Sequence, residues 1–287
     1  MKPLTVLTFN AGLLDVNLIG LSLFKPAAFI EERVRAIIET LKGYPADIVA
    51  LQEVYLRKHH QFFMTELVQS FPYKAFSEMP ILNWGSGLMT FSKYPIVEGR
   101  FTPFTEGGAL DETIFAKRGI LTTEIKINKR LKLSVFNIHL TSGGVLYHME
   151  HPLVQQKRSK QIKQIVNMID QLEVKNVIML GDFNSGPSVS SMNYNEILKY
   201  GFMDVYDEFC RSTKSQKENT WDVANPLHIS KPSVGSHRID HIFIKKCTLD
   251  ILNTQVVFKE AIVQIGSNKK KTVTLSDHYG LETTFKL

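Results

Sequence analysis

Short apolar runs suited to strands alternate with amphipathic helices from one end of this chain to the other. That alternation limits it to a mixed α/β fold. Leu4–Phe9 (LTVLTF) and Asp47–Leu51 (DIVAL) are β-branched, apolar runs that suit buried strands. Between them, Ile30, Val34, Ile37, Ile38 and Leu41 share one face of a helix expected over Ala27–Lys42. Pro26 suits its first turn, and Gly43 with Pro45 ends it. A second helix is expected over Leu56–Phe71, then a strand at Ser86–Ser92. Arg118–Ile127 and Leu131–Leu140 read as a hairpin around Asn128-Lys129-Arg130. A third helix over Gln155–Leu172 places Ile162, Ile165, Val166, Ile169 and Leu172 on one face. A strand at Asn176–Leu180, a short helix at Met192–Lys199 and strands near Arg238–Ile244, Thr254–Phe258 and Gly280–Phe285 complete the order. No repeat and no Gly/Ser linker divides the chain, so residues 1–287 read as a single α/β domain with two sheets.

Composition narrows the partners more than the fold. With 44% hydrophobic and 22% charged residues, the chain falls outside the disordered class. The 34 Lys+Arg against 28 Asp+Glu leave a net charge of +6, a mild lean towards phosphates, nucleic acid or lipid head groups. Cys210 and Cys247 are too few for a disulfide framework and lack metal-ligand spacing. No apolar run reaches the roughly 18 residues of a membrane span. No signal peptide is visible, because Leu4–Phe9 already reads as a strand, and the compartment stays open. Lys269-Lys270-Lys271 reads as a solvated loop.

The informative polar residues sit where strands end. Asn10 closes TFN, Glu53 follows DIVALQ, His139 lies in FNIHL, and Asp182 and Asn184 follow VIMLG. Asp240 lies in HRIDHIF, and Asp277-His278 directly precede the last strand. Strand ends are rigid platforms on which loops gather a site. Acidic and amide oxygens with two or more His suit a hard divalent cation such as Mg²⁺ rather than zinc. Each residue alone has an ordinary reading: a solvated cap for Glu53, a turn former for Asn10, a hydrogen-bonded core residue for His139. Their joint order is what points to chemistry.

That order resembles the endonuclease/exonuclease/phosphatase superfamily, whose fold is DNase I-like. The resemblance rests on TFN (Thr8–Asn10), DIVALQEV (Asp47–Val54), NIHL (Asn137–Leu140), GDFN (Gly181–Asn184), RIDHIF (Arg238–Phe243) and SDH (Ser276–His278). It implies a four-layer α/β/β/α sandwich, with two mixed sheets packed face to face, and Mg²⁺-dependent hydrolysis of phosphate esters. Mn²⁺ is another divalent cation such a site accepts. GSGLMTFSKYPI (Gly85–Ile96), AKRGIL (Ala116–Leu121), NTWDVANPL (Asn219–Leu227) and LSDHYGLETTF (Leu275–Phe285) are similar to the neutral sphingomyelinase branch. Thr141-Ser142-Gly143-Gly144 departs from it, where eukaryotic members tend to carry a longer polar continuation.

The resemblance also implies roles. Glu53 is the metal ligand with Asn10 beside it, and Asp182 and Asn184 hold the attacking water and a phosphoryl oxygen. His278 is the general base. Asp240 orients it, with Asp277 as the alternative orienter or a ligand of a second metal. His139 donates to the phosphate, and Lys117 or Arg118 adds positive charge. The expected enzyme is a monomer that hydrolyses a phospholipid at a membrane surface, foremost sphingomyelin to ceramide and phosphocholine. Nucleic acid is the alternative substrate, for an endonuclease or exonuclease of DNA-repair type, and a phosphoinositide phosphatase shares the fold. A catalytically silent docking module is the reading outside enzymes. His148-Met149-Glu150-His151 is either a metal cluster or a mobile loop near the site mouth.

Two apolar stretches bear on the surface. Met79–Trp84 could sit at an interface, and Ala11–Phe29, charged only at Asp15 and Lys25, either rests on lipid or folds over the core. If it rests on lipid, replacing Leu18, Ile19 and Leu21 with Ser weakens hydrolysis on vesicles and spares a small soluble phosphodiester. Each apolar side chain withdrawn from lipid forfeits roughly 1.5–3 kcal/mol. Equal loss on both substrates with a lower Tm is the signature of a core lid.

Overall fold

The computed structural model describes residues 2–18, 21–78, 85–106, 117–144, 147–172, 175–228, 235–266 and 271–287, and for 16–18 and 21–24 the backbone course alone. Strand β1 (Leu4–Asn10) leads through a hairpin, β2 (Val16–Leu18) and β3 (Leu21–Phe24), into helix α1 (Ile30–Gly43). Strand β4 (Ile48–Gln52), α2 (Arg57–Glu66), β5 (Tyr73–Phe76), β6 (Met89–Ser92) and β7 (Ile96–Pro103) follow. The middle holds β8 (Gly119–Lys126), β9 (Lys132–His139), α3 (Pro152–Gln171), β10 (Val177–Asp182) and α4 (Ser191–Lys199). Next come β11 (Met203–Asp204), α5 (Val205–Thr213), β12 (Asp240–Lys245), β13 (Asp250–Val257), β14 (Val263–Ile265), β15 (Lys271–Val273) and β16 (Gly280–Lys286).

Two six-stranded sheets form, ordered β13-β16-β1-β4-β6-β5 and β11-β12-β10-β9-β8-β7. Each is mixed: β1–β4 and β9–β10 are parallel pairs, and the other neighbours are antiparallel. The period of two along each strand sorts the side chains into layers. Leu4 and Val6 of β1 meet Ile178 and Leu180 of β10 in a buried cluster between the sheets. Leu7 and Phe9, on the opposite face of β1, pack under Val34, Ile37, Ile38 and Leu41 of α1. Val177 and Met179 of β10 pack under Ile162, Ile165, Val166 and Ile169 of α3. The result is the four-layer α/β/β/α sandwich that the resemblance implies.

The pairing register sets the site. Asn10 lies opposite Gln52, and Asp182 lies between His139 and Asp240, so these strands end together at one end of the sandwich. Buried amides join the two sheets just below. Gln52 donates to Asn137 Oδ1 (2.8 Å), and Asn137 donates to Met89 O (2.9 Å) and Leu51 O (3.1 Å).

Several expected boundaries move. Helix α1 starts at Ile30, not Ala27, because the carbonyls of Ala27 and Ala28 accept from the Arg33 guanidinium and Phe29 turns left-handed (φ 58°). Helix α2 stops at Glu66, and the chain turns through 67–70 so that Leu67 and Phe71 still reach the core. The strand expected from Ser86 begins at Met89, because the amides of Ser86 and Leu88 are taken by serine hydroxyls. β5, β7 and α5 had no expectation. β5 and β7 are exposed sheet edges without apolar alternation, and α5 is started by Asp204, which accepts from the amides of Tyr206 and Asp207.

Of Ala11–Phe29, the described feet are core: Ala11, Leu13 and Ala27 are fully buried. The side chains of 16–24, with Ile19 and Gly20 entirely, lie outside the described residues, as do Met79–Trp84, Lys269 and Lys270. Cys210 and Cys247 are both free. No described helix is long and apolar enough to cross a membrane.

Leu180 is fully buried between the sheets. Leu180→Ala is expected to lower the free energy of urea unfolding by about 2–5 kcal/mol. A loss below 1 kcal/mol would contradict the tight inter-sheet packing.

Candidate active site

Asn10, at the end of β1, sits between two acids. Its Nδ2 donates to Glu53 Oε1 (3.2 Å) and to Asp182 Oδ2 (3.0 Å), while its Oδ1 accepts from the Gly12 amide (3.0 Å). In this arrangement Asn10 spaces two carboxylates and presents its amino group, not its oxygen. Gly12 has φ 57°, and a Cβ there would lie 2.1 Å from Asp277 Oδ1, so only glycine lets Asp277 come this close.

Glu53 follows β4 in a left-handed conformation (φ 62°) that breaks the strand and turns its side chain into the site. Burial and the nearby Asp277 raise its pKa, against the opposing pull of His278, Asn10 and Arg118. His139 closes β9 with its Nε2 3.4 Å from Asp182 Oδ2 and 3.9 Å from Glu53 Oε1. Burial, Arg118 and His278 push its pKa well below the ordinary value, so His139 is neutral at pH 7. Its Nδ1 is buried with no hydrogen-bond partner.

Asp182 ends β10. Burial and Asp240 push its carboxyl up to about 7, opposed by His278 and the Asn184 amide, which donates to Oδ1 (2.8 Å). Gly181 allows this placement: at φ 138°, a Cβ would lie 1.9 Å from Ile138 O. Asn184 is left-handed (φ 48°), and its Nδ2 donates to Leu140 O (3.0 Å).

His278 sits across from these groups. Its Nδ1 is 2.9 Å from Asp240 Oδ2, and its Nε2 is 3.9 Å from Asp182 Oδ2. Burial alone would depress its pKa, but Asp240, then Asp182 and Asp277, outweigh burial and raise it well above the ordinary value. Of the two orienters weighed from sequence, Asp240 holds the ring. Asp277 instead accepts from Ser276 Oγ (3.1 Å) and lies beside Glu53 and Arg33. Arg118 Nη1 donates to Leu140 O (3.0 Å), one residue past His139, and its charge acts on both His139 and Glu53. Lys117 lies apart, in a side groove.

Glu53, His139 and Asp182 bring ligand atoms within 4.8 Å of one another, and so do Asp182, Asp240 and His278. The partnerless His139 Nδ1 and Asp240 Oδ1, both buried, add unmet polar capacity around these groups. Clustered carboxylates with raised pKa values fit a divalent cation, which would restore their charge.

His148–His151 lies in neither group. Met149 O accepts from Arg158 Nη2 (2.7 Å), Glu150 Oε1 accepts from the Ser190 amide (3.1 Å), and His151 caps α3 by accepting from Leu153 N (3.3 Å). Two of these bonds tie the segment to helix starts and the third ties it to Arg158 within α3.

Sequence reasoning missed the supports. Thr220 Oγ1 accepts from the amides of Ile239 and Asp240 (both 3.1 Å), and Asn225 Nδ2 donates to Ser276 O (3.0 Å). The block Asn219–Leu227 carries both residues and was the available signal. Beneath the GDFN turn, Asp204 bonds Arg238 (2.7 Å) and His241 (3.1 Å), and His241 Nε2 contacts Ser185 O (2.9 Å). Nothing in the spacing of Asp204 announced this.

With the geometry in view, the comparisons are specific. The profile of the Endonuclease/Exonuclease/phosphatase family matches residues 7–278. The chain belongs to that family. An inositol phosphosphingolipids phospholipase C of Schizosaccharomyces pombe is 24% identical over 286 residues, covering 89% of this chain and 64% of that protein. A putative neutral sphingomyelinase of Drosophila melanogaster is 23% identical, covering 96% of this chain and 61% of that protein. The chain thus spans under two-thirds of the length of these curated relatives. A beta toxin variant of Staphylococcus aureus, crystallised with bound magnesium ions, shares the fold at a TM-score of 0.73 and 17% identity, covering 99% of this chain and 100% of that one. Within the family, the similarity runs to the sphingomyelinase branch.

The raised His278 gives a signed pH prediction. If His278 is the base it must be neutral to act, so activity is expected to rise with pH through a midpoint above the ordinary imidazole value of about 6.5. Asp240→Asn removes the strongest raising charge and is expected to move that limb to lower pH, with a smaller maximum rate from the lost ring orientation. A limb that stays in place refutes the pairing.

Proposed function

We propose that this chain is a divalent-metal-dependent phosphodiesterase that cleaves phosphosphingolipids between the ceramide oxygen and phosphorus. Sphingomyelin, giving ceramide and phosphocholine, is the substrate that assays it. The observation that carries this reading is the His278–Asp240 pair set against Glu53, Asn10, Asp182 and His139 at one end of the sandwich, with His278 Nε2 3.9 Å from Asp182 Oδ2.

Asp240 accepts the Nδ1 proton of His278 and leaves Nε2 as the proton acceptor. His278 then takes one proton of a water that attacks phosphorus; the bond from phosphorus to the ceramide oxygen breaks, and that oxygen takes its proton from solvent water. Asp182 and Asn184 hold that water and a phosphoryl oxygen. His139, held neutral, donates to the oxygen on which charge builds. Glu53 would be the principal metal-holding group, with Asp277 beside it. A divalent cation held there, most simply Mg²⁺, would supply charge neutralisation for an anionic ester that repels nucleophiles. The relatives named as a sphingomyelinase and an inositol phosphosphingolipids phospholipase C support this substrate class.

The test measures phosphocholine release from sphingomyelin beside plasmid nicking, with one preparation and Mg²⁺. Release without nicking is expected, and nicking without release would turn the reading to a nuclease. Glu53→Gln is expected to cut release by about 100-fold or more, as loss of a principal electrostatic group does. EDTA should abolish release and Mg²⁺ restore it; full activity in EDTA would refute the metal mechanism.

A further inference from the structure

Asp240 and His278 belong to different sheets. Asp240 opens β12 in one, and His278 lies just before β16 in the other. β12 and β16 are not ladder neighbours, so their 2.9 Å side-chain bond crosses from sheet to sheet without a backbone ladder to set its length. One irregular segment, 219–227, is bonded to both sides.

Thr220 is the point where the two sides meet. It is fully buried, and each of its polar groups is engaged. On the Asp240 side, its amide donates to His237 O (3.1 Å), and its Oγ1 accepts from the amides of Ile239 and Asp240 (both 3.1 Å). On the His278 side, its carbonyl accepts from the Tyr279 amide (2.6 Å). The neighbouring residues repeat the pattern. Trp221 exchanges backbone bonds with His237 (both 2.9 Å) and stands opposite His278 in an isolated antiparallel bridge. Asn225 Nδ2 donates to Ser276 O (3.0 Å), and its Oδ1 accepts from Thr274 Oγ1 (2.9 Å). Ile239 O in turn accepts from the amide of Phe183, between Asp182 and Asn184 (2.9 Å). The segment is a strap with one half of the pair on each edge.

A buried amide needs an acceptor wherever it lies, so the need of Ile239 and Asp240 explains a bond to some oxygen. It does not explain why the residue that supplies the oxygen also holds Tyr279. The backbone bonds of the strap form with almost any residue, whereas the bonds to Oγ1 require a hydroxyl. His278 must aim Nε2 at a water beside Asp182, and its ring direction follows from where Asp240 stands. A misplacement of about 1 Å at such a group costs up to about 100-fold in rate.

We propose that Thr220 is a positioning residue of the reaction: its hydroxyl and carbonyl together fix Asp240 against His278 across the two sheets. The inference rests on His278 acting as the base and adds the residue that sets its geometry.

The experiment measures kcat and KM for phosphocholine release from sphingomyelin at saturating Mg²⁺, with Tm for each variant. Thr220→Val, which keeps the shape and loses the acceptor, is expected to lower kcat about 10- to 100-fold with little change in KM. Thr220→Ser keeps the oxygen and should stay near wild type. Thr220→Cys offers a weak acceptor and should fall between them, which decides the matter if the valine variant does not fold. Because Thr220 acts through Asp240, adding Thr220→Val to Asp240→Asn should cost less than about twofold more. Losses that multiply, a folded valine variant with native kcat, or a serine variant as slow as the cysteine variant overturns the proposal. A second readout needs no substrate: the Nδ1 proton of His278, held by Asp240, gives a far-downfield NMR resonance, assigned by its absence in His278→Ala. It should persist in Thr220→Ser and broaden or vanish in Thr220→Val. If wild type releases no phosphocholine while the resonance still depends on the Thr220 hydroxyl, the phosphodiesterase reading falls and the strap stands. If wild type cleaves and Thr220→Val keeps both rate and resonance, the strap falls and the enzyme reading stands.

Discussion

Four carboxylates, those of Glu53, Asp182, Asp240 and Asp277, converge on one largely buried end of the sandwich, and the structure around them is organised by their mutual repulsion. Charges removed from water are costly unless paired. Two of the four respond by becoming harder to ionise: the pKa of Glu53 is raised and that of Asp182 reaches about 7. The remaining cost is met by position. Asn10 donates one amino group to two of the acids, and His278 stands between Asp240 and Asp182. Such an arrangement has an obvious completing partner in a divalent cation, so the geometry reads as a site and not as a stable resting cluster.

Holding these groups together requires an unusually constrained backbone. Glu53 and Asn184 both take left-handed conformations that side chains other than glycine rarely adopt, and both are candidate functional residues. The loops that carry them are tied down by buried polar side chains. Arg33 donates to the carbonyls of Ala11, Gly12, Ala27, Ala28 and Leu275, so one guanidinium joins the exit of β1, the root of the β2–β3 hairpin and the approach to His278. Under the opposite sheet, Asp204, Arg238 and His241 do the same for the turn that follows Asp182, through Ser185 O. Each network satisfies carbonyls that would otherwise be buried without donors.

Much of this was legible in the residues, and for a stated reason. The strands that matter most, β1, β4, β9 and β10, are buried on both faces and therefore read as continuous apolar runs ended by a polar residue. Asn10, Glu53, His139 and Asp182 stand at those ends, and the order of the blocks led to the family. What stayed hidden was of two kinds. Edge strands β5 and β7 bury one face poorly, so no alternation marks them. Supporting residues such as Thr220, Asn225 and Asp204 act over long sequence separations, as with Asp204 and Arg238, which are 34 residues apart. A hydrogen bond between distant residues leaves no periodic trace.

The sequence by itself determined which residues are buried, which strands end in chemistry-bearing groups, and the family to which the chain belongs, because burial and strand period are local properties of side chains. Tertiary structure decided the rest. It chose Asp240 over Asp277 as the partner of His278, turned the amino group of Asn10 towards two acids, and moved Lys117 away from the centre into a groove. Those outcomes depend on how two sheets face each other and which strand ends meet across the gap. Electrostatic coupling between groups falls with distance in space and takes no account of separation along the chain.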